Sequence, residues 1–182
     1  MGEPVSAVGV FCGSSGGRRP AYAEAAVALA DQLVARDLTL VYGGARVGTM
    51  GVLADRVLAG GGRVVGVIPG HLAEHEVAHQ GLSELHLVDT MHERKALMAE
   101  RAGAFVALPG GWGTLDEFAE IVTWSLLGLH HKPIGLLDVE GYFEHLLAWL
   151  DHAVAEGFVR PPHRALVRTG TDPARLLDDL GA

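Results

Sequence analysis

The sequence predicts an α/β protein: a single domain built on a doubly wound, mainly parallel sheet with helices on both faces. Short apolar runs alternate with longer stretches of helical periodicity, the pattern of successive βαβ units. Several of the runs are apolar throughout instead of alternating, so both faces of those strands need cover. The chain also holds 25 glycines, and they cluster after apolar runs, where they mark sharp turns.

Taken in order, residues 5–12 read as a buried strand and 21–36 as an amphipathic helix. Residues 38–42 form the second strand and 47–59 the second helix. Gly60-Gly61-Gly62 stops that helix and opens a third strand over 63–68, followed by a short fourth strand over 85–88. A helix spans 90–101, with Thr90 as N-cap and Glu93 three residues on, the capping-box spacing. Then come a strand over 104–108, a helix over 114–127, a strand over 133–137 and a helix over 142–156. The tail holds a weak strand near 165–167 and a short helix from Asp172. Together these elements describe a Rossmann-like domain with no linker, repeat or low-complexity tract.

The helix over 114–127 is apolar nearly all round, through Leu115, Phe118, Ala119, Ile121, Val122, Trp124, Leu126 and Leu127. Such a helix is buried on more than one side. Either it lies centrally in the domain or a second subunit covers it. Twofold pairing is the commonest assembly, so a homodimer is expected.

At 182 residues the chain is long enough for one full core. Its formal net charge of −8 argues against a nucleic-acid polymer as partner, since a basic stripe would be needed. The single cysteine, Cys12, fits a reducing compartment and reads as a small buried thiol. No secretory leader and no membrane-length apolar run is evident, so the expected location is the cytoplasm, away from membranes.

Three strand ends open into small or Gly-rich turns: Phe11-Cys12-Gly13-Ser14-Ser15, Tyr42-Gly43-Gly44-Ala45-Arg46-Val47-Gly48, and Leu108-Pro109-Gly110-Gly111-Trp112-Gly113-Thr114. Ligands of open parallel sheets bind at the carboxyl ends of the strands. Glycine there lets the backbone approach, and the free N–H groups of the following helix favour an anion. One such turn is routine strand-to-helix chemistry; three together indicate a phosphate-bearing ligand. No Gly is followed by Lys, which excludes the nucleoside-triphosphate loop. The dinucleotide fingerprint is missing after the first strand, and Gly111-Trp112-Gly113 meets Asp116 where its third Gly would fall. The run ends in Asp116 and Glu117, read as carboxylates on the first turn of the next helix, where they also suit the helix dipole. A carboxylate near a bound phosphate is useful if the chemistry passes through a cation.

Pro109-Gly110-Gly111-Trp112-Gly113-Thr114-Leu115-Asp116-Glu117, preceded by Met91-His92-Glu93-Arg94-Lys95, resembles the Lonely Guy (LOG) family of cytokinin-activating phosphoribohydrolases, some of whose members carry an older label as lysine decarboxylases. The turn after the second strand is similar to the family's G-G-G-x-x-G-x-M-G, with Ala45 at the third Gly and Thr49 where Leu is common. The resemblance runs from about residue 8 to about residue 154. It implies cleavage of the N-glycosidic bond of N6-modified adenosine 5′-monophosphates, with no cofactor and no metal. Arg94 and Glu117 match the catalytic pair. The implied substrate-binding positions are Ser14, Gly44, Glu76, Met91, Lys95, Gly110, Gly111, Trp112, Gly113, Thr114, Leu115, Asp116 and Thr123. Family members form at least dimers, with sites near the subunit interface.

The chemistry agrees with these residue types. Cleaving a ribosyl–base bond develops an oxocarbenium-like ribose, which a carboxylate can stabilise or supply with an activated water. An arginine can bind phosphate, orient that carboxylate or assist the departing base, and the sequence does not choose among the three. Taken alone, Arg94 also reads as an ordinary surface residue. Pyridoxal chemistry needs a Schiff-base lysine. Lys132 falls at the amino end of its strand, and Lys95 beside Arg94 is better read as a second anion contact. His75-Glu76-Val77-Ala78-His79 spells the zinc-protease signature but lacks the metzincin extension, and reads as a solvated or substrate-covering loop. The competing reading, from a different class, is a non-catalytic carrier of a nucleotide or phosphorylated cofactor.

Overall fold

The structure is a computed structural model that describes residues 5–73 and 78–182. Seven strands form one sheet: β1 (Ala7–Phe11), β2 (Thr39–Tyr42), β3 (Val64–Pro69), β4 (Glu84–Val88), β5 (Ala104–Ala107), β6 (Ile134–Leu137) and β7 (Val167–Gly170). Their order across the sheet is β4-β3-β2-β1-β5-β6-β7, and every pairing is parallel. The chain winds outward from β1 to β4, returns to place β5 beside β1, then winds outward the other way. The order therefore reverses between β1 and β5, where a doubly wound sheet leaves a crevice at its carboxyl edge.

Helices cover both faces. α1 (Pro20–Ala35), α2 (Gly48–Ala59) and the terminal α8 (Pro173–Leu180) pack on one face through Leu29, Leu33, Leu53, Val57, Leu176 and Leu177. α4 (Met91–Arg101), α5 (Trp112–Leu126) and α6 (Glu144–Ala155) cover the other through Met98, Phe118, Ile121 and the partly buried Leu146. The strands β1, β3, β5 and β6 are buried along their whole length, as their unbroken apolar runs require. The short α3 (Gly70–Ala73) and α7 (Pro161–Arg164) were not legible in the sequence. Neither is long enough to carry a helical period.

Capping decides several boundaries. Proline occupies the first turn of α1 and of α8, where its missing N–H costs nothing. Thr90 caps α4 as expected: its hydroxyl accepts from Glu93 N at 3.1 Å, and Glu93 Oε2 accepts from Thr90 N at 3.3 Å. Two expectations need correction. β7 lies over Val167–Gly170 instead of 165–167, because this edge strand is half exposed and carries Arg168, Thr169 and Gly170 in place of an apolar run. α5 begins at Trp112 with Gly111 as N-cap, so the run read as an open turn is already helical. Asp116 and Glu117 accordingly lie on the second turn of α5, and its first turn carries no acidic residue.

Candidate active site

The three Gly-rich turns meet at the carboxyl edge where the strand order reverses, after β1, β2 and β5. The start of α2 clamps the first of them. Gly13 O accepts from Thr49 Oγ1 at 3.0 Å and from Met50 N at 3.3 Å. Gly48 adopts φ +59°, and a Cβ there would fall 2.4 Å from Ser14 C and 2.5 Å from Ser15 N. Only glycine permits so close an approach. The two departures from the family pattern are absorbed locally. Ala45 is fully buried, and the left-handed residues of its turn are Gly44 and Gly48 instead. Thr49 uses its hydroxyl to hold the β1 turn.

Arg94 is no surface residue: it is 5% exposed. From the first turns of α4 its side chain crosses under the β2 and β3 turns, where Nε donates to Val67 O at 3.0 Å and Nη2 to Gly43 O at 2.8 Å. Gly43 leaves the room for this, since a Cβ would sit 2.1 Å from Nη2. Two nitrogens are thus fixed to backbone carbonyls, and Nη1 faces the Glu117 carboxylate, 4.0 Å from Oε1. Glu117 is 7% exposed and projects from the buried side of α5. A permanent cation and a carboxylate are held together against the sheet edge.

The start of α5 completes the site. The N–H groups at the head of a helix have no intrahelical acceptor and present partial positive charge. Thr114 sits in this first turn, and its buried Oγ1 has no hydrogen-bond partner among the described residues. A buried hydroxyl without a partner is costly, which suits a polar ligand arriving there. Ser14, Arg94, Gly111, Trp112, Gly113, Thr114 and Glu117 line a hollow of about 120 Å³ together with Cys12, Gly13 and Met50. Burial pushes the Cys12 thiol up to about 12; Thr49 and Arg94 oppose the shift and the charge of Glu117 adds to it.

Of the remaining expected residues, some border this hollow and others do not. Met91 stands beside it, with Sδ 3.8 Å from Arg94 Nη1. Gly110 and Leu115 line an adjoining apolar hollow of about 330 Å³ with Phe118, Tyr142 and Leu146. Gly44 lies behind the turn, its carbonyl accepting from His79 N at 2.9 Å. Lys95 Nζ is held by Asp116 at 3.0 Å and Glu120 at 2.9 Å. Partial burial works against its charge, but the hydrogen bonds that Nζ donates to Glu120 and Asp116 outweigh that and raise its pKa. Thr123 lies on the outer face of α5 and donates to Ala119 O at 2.7 Å. Glu76 lies outside the described residues. The segment reads in sequence as a solvated or substrate-covering loop, and its solvated reading is corrected at His79, which is 5% exposed. Its Nε2 meets Asp55 at 2.8 Å and its Nδ1 accepts from Gly81 N at 3.1 Å, so both ring nitrogens are occupied. The rest of that signature, His75 to Val77, is outside the described residues. α5 is buried on one side within the chain, through Thr114, Glu117, Phe118 and Ile121, while Leu126 and Leu127 are exposed. Gly43 and Met50 are visible in the sequence only as members of a Gly-rich turn, and Tyr142 is not singled out at all, since each matters through a contact distant along the chain.

Fold and site define a doubly wound α/β protein with a glycine-rich helix start and a buried Arg–Glu pair at its switch point. The family model described as "Possible lysine decarboxylase" matches residues 50–180. Over 171 residues the chain is 53% identical to the probable cytokinin riboside 5′-monophosphate phosphoribohydrolase LOGL9 of Oryza sativa subsp. japonica, covering 94% of this chain and 75% of that protein. It is 48% identical over 171 residues to the cytokinin riboside 5′-monophosphate phosphoribohydrolase LOG7 of Arabidopsis thaliana, covering 94% and 79%. The chain belongs to this LOG family. The fold is shared with the molybdenum cofactor binding protein of Rippkaea orientalis, with TM-score 0.72 and 20% identity over 98% of this chain and 95% of that one. Decarboxylation through pyridoxal does not fit the residues present. Lys132 Nζ is bound to Ala99 O at 2.6 Å, Lys95 is held by two carboxylates, and neither lines the Arg94–Glu117 hollow.

Proposed function

We propose that this protein is a nucleoside 5′-monophosphate phosphoribohydrolase that cleaves the N-glycosidic bond of N6-modified adenosine 5′-monophosphates, giving free base and ribose 5-phosphate. The observation that carries the reading is the buried pair of Arg94 and Glu117, 4.0 Å apart, lining one hollow with the first turn of α5. The 5′-phosphate is read on the N–H groups of Gly111, Trp112, Gly113 and Thr114, with the Thr114 hydroxyl as a further donor. The ribose then lies over Glu117. As the C1′–N9 bond breaks, its electron pair leaves with the base and positive charge develops on the ribose. The Glu117 carboxylate stabilises that charge and takes a proton from the water whose oxygen bonds to C1′; that proton passes on to the departing base, which regenerates the carboxylate. Arg94, tied down at two nitrogens, serves chiefly to orient Glu117.

The wider setting follows the same reading. Leu115, Val122, Leu126 and Trp149 border an apolar groove of about 220 Å³ on the outside of α5 and α6. A second copy of the chain would cover it. Thr123 stands nine residues along α5 from Thr114, about 13 Å at the helical rise, so it fits a role in a partner's site better than in its own. A homodimer in the cytoplasm is proposed. No described helix is long and apolar enough to cross a membrane.

The test is product identity after incubation with AMP and with isopentenyl-AMP. Free base with ribose 5-phosphate is expected. Nucleoside with inorganic phosphate would make the protein a phosphatase, and tight binding without turnover would make it a carrier. Sedimentation across a range of concentrations tests the dimer, which Leu126→Asp is expected to split.

A further inference from the structure

The turn between β6 and α6 reaches back to the start of α5 through one hydroxyl. Tyr142 Oη donates to Gly110 O. The turn is itself braced. Glu140 and Gly141 adopt φ +51° and +74°, and Asp138 Oδ1 accepts from Phe143 N at 2.8 Å. The Tyr142 ring packs edge-on against Tyr22 of α1, with centroids 5.6 Å apart, and against Phe143 at 5.1 Å. Arg19, at the foot of the β1 turn, adds an ion pair to Glu140 at 2.9 Å. Tyr142 is thus held from two sides before its hydroxyl meets the Gly110 carbonyl.

A trans peptide points its C=O and its N–H in opposite directions. Fixing the Gly110 carbonyl on Tyr142 therefore turns the Gly111 N–H away from Tyr142. Gly110 lines the outer hollows together with Tyr142, whereas Gly111 is shared with the hollow of Arg94 and Glu117. Two glycines in succession leave this peptide plane free to rotate unless something holds it. We infer that Tyr142 is a positioning residue that sets the Gly110–Gly111 peptide so that the Gly111 N–H is aimed at the substrate's 5′-phosphate. The inference rests on the phosphoribohydrolase reading above.

The test compares wild type with Tyr142→Phe, which keeps the ring and its packing and removes only the hydroxyl. Binding of AMP, inorganic phosphate and adenosine is measured by calorimetry, alongside steady-state kinetics and thermal melting. Tyr142→Phe is expected to weaken AMP and phosphate by roughly 3- to 10-fold, the worth of one hydrogen bond. Adenosine binding and the melting temperature are expected to stay within error, and the loss should appear in KM with kcat little changed. Unchanged AMP and phosphate affinity would overturn the inference, and so would an equal loss for adenosine, which a general loosening of the site would give. If the wild-type protein itself bound neither AMP nor phosphate, the functional reading would fall first, and this inference with it.

Discussion

Replacing Gly43 with alanine probes the way the fold holds Arg94. The backbone at 43 is not left-handed, so alanine is conformationally allowed; the obstacle is the guanidinium 2.1 Å from the new Cβ. The tip of a flexible side chain can yield, so the fold survives and Arg94 moves. Moving it breaks the bonds to Gly43 O and Val67 O, each worth about 1.5–3 kcal/mol for a charged donor, or ~3–6 kcal/mol for the two. Arg94 borders an open hollow and regains water there, which reduces the expected loss of stability to about 2–3 kcal/mol. Activity suffers more, because a displaced Arg94 no longer faces Glu117; a fall in kcat/KM of about 10²-fold or more is expected. The assay is turnover of isopentenyl-AMP and urea unfolding for Gly43→Ala, Arg94→Met and the double variant. Once Arg94 is gone, Gly43→Ala should add little. A Gly43→Ala protein with wild-type kcat/KM, or losses that simply add in the double variant, would refute the reasoning.

Glu117→Gln is expected to lower kcat by about 10²-fold or more with KM nearly unchanged, since its charge acts mainly in the transition state; an unchanged kcat removes it from the mechanism. Thr114→Val replaces a buried hydroxyl that has no described partner. It should leave the free protein as stable or slightly more stable in urea while weakening phosphate binding several-fold. Cys12 is expected to resist thiol reagents at pH 8 in the native protein and to react once unfolded. Its folded value near 12 exceeds the ordinary 9, so between those values the unfolded chain binds fewer protons and stability falls as pH rises. Cys12→Ala should flatten that part of the stability–pH curve.

Much of the fold was legible because the signals are local. β1, β5 and β6 announce themselves as short runs apolar throughout, and the Thr90–Glu93 capping box fixes the start of α4 to the residue. The start of α5 was misread for an equally local reason. Gly110-Gly111-Trp112-Gly113 has the composition of a turn, yet Gly111 is an N-cap and the next two residues are helical. The site's residue types were visible, and so was their clustering on turns after strands. What could not be seen was tertiary. Nothing near Arg94 in sequence indicates that carbonyls at 43 and 67 bind it, and nothing near Gly110 points to Tyr142. Lys95 shows the converse: beside Arg94 it reads as an anion contact, but the anions it meets are Asp116 and Glu120 of its own chain.

The most direct test of the central claim is a crystal structure of Glu117→Gln soaked with AMP. The 5′-phosphate is expected within hydrogen-bond distance of the amides at 111–114, with C1′ facing the side chain at 117. A phosphate bound elsewhere, or a ribose turned away from position 117, would contradict the account.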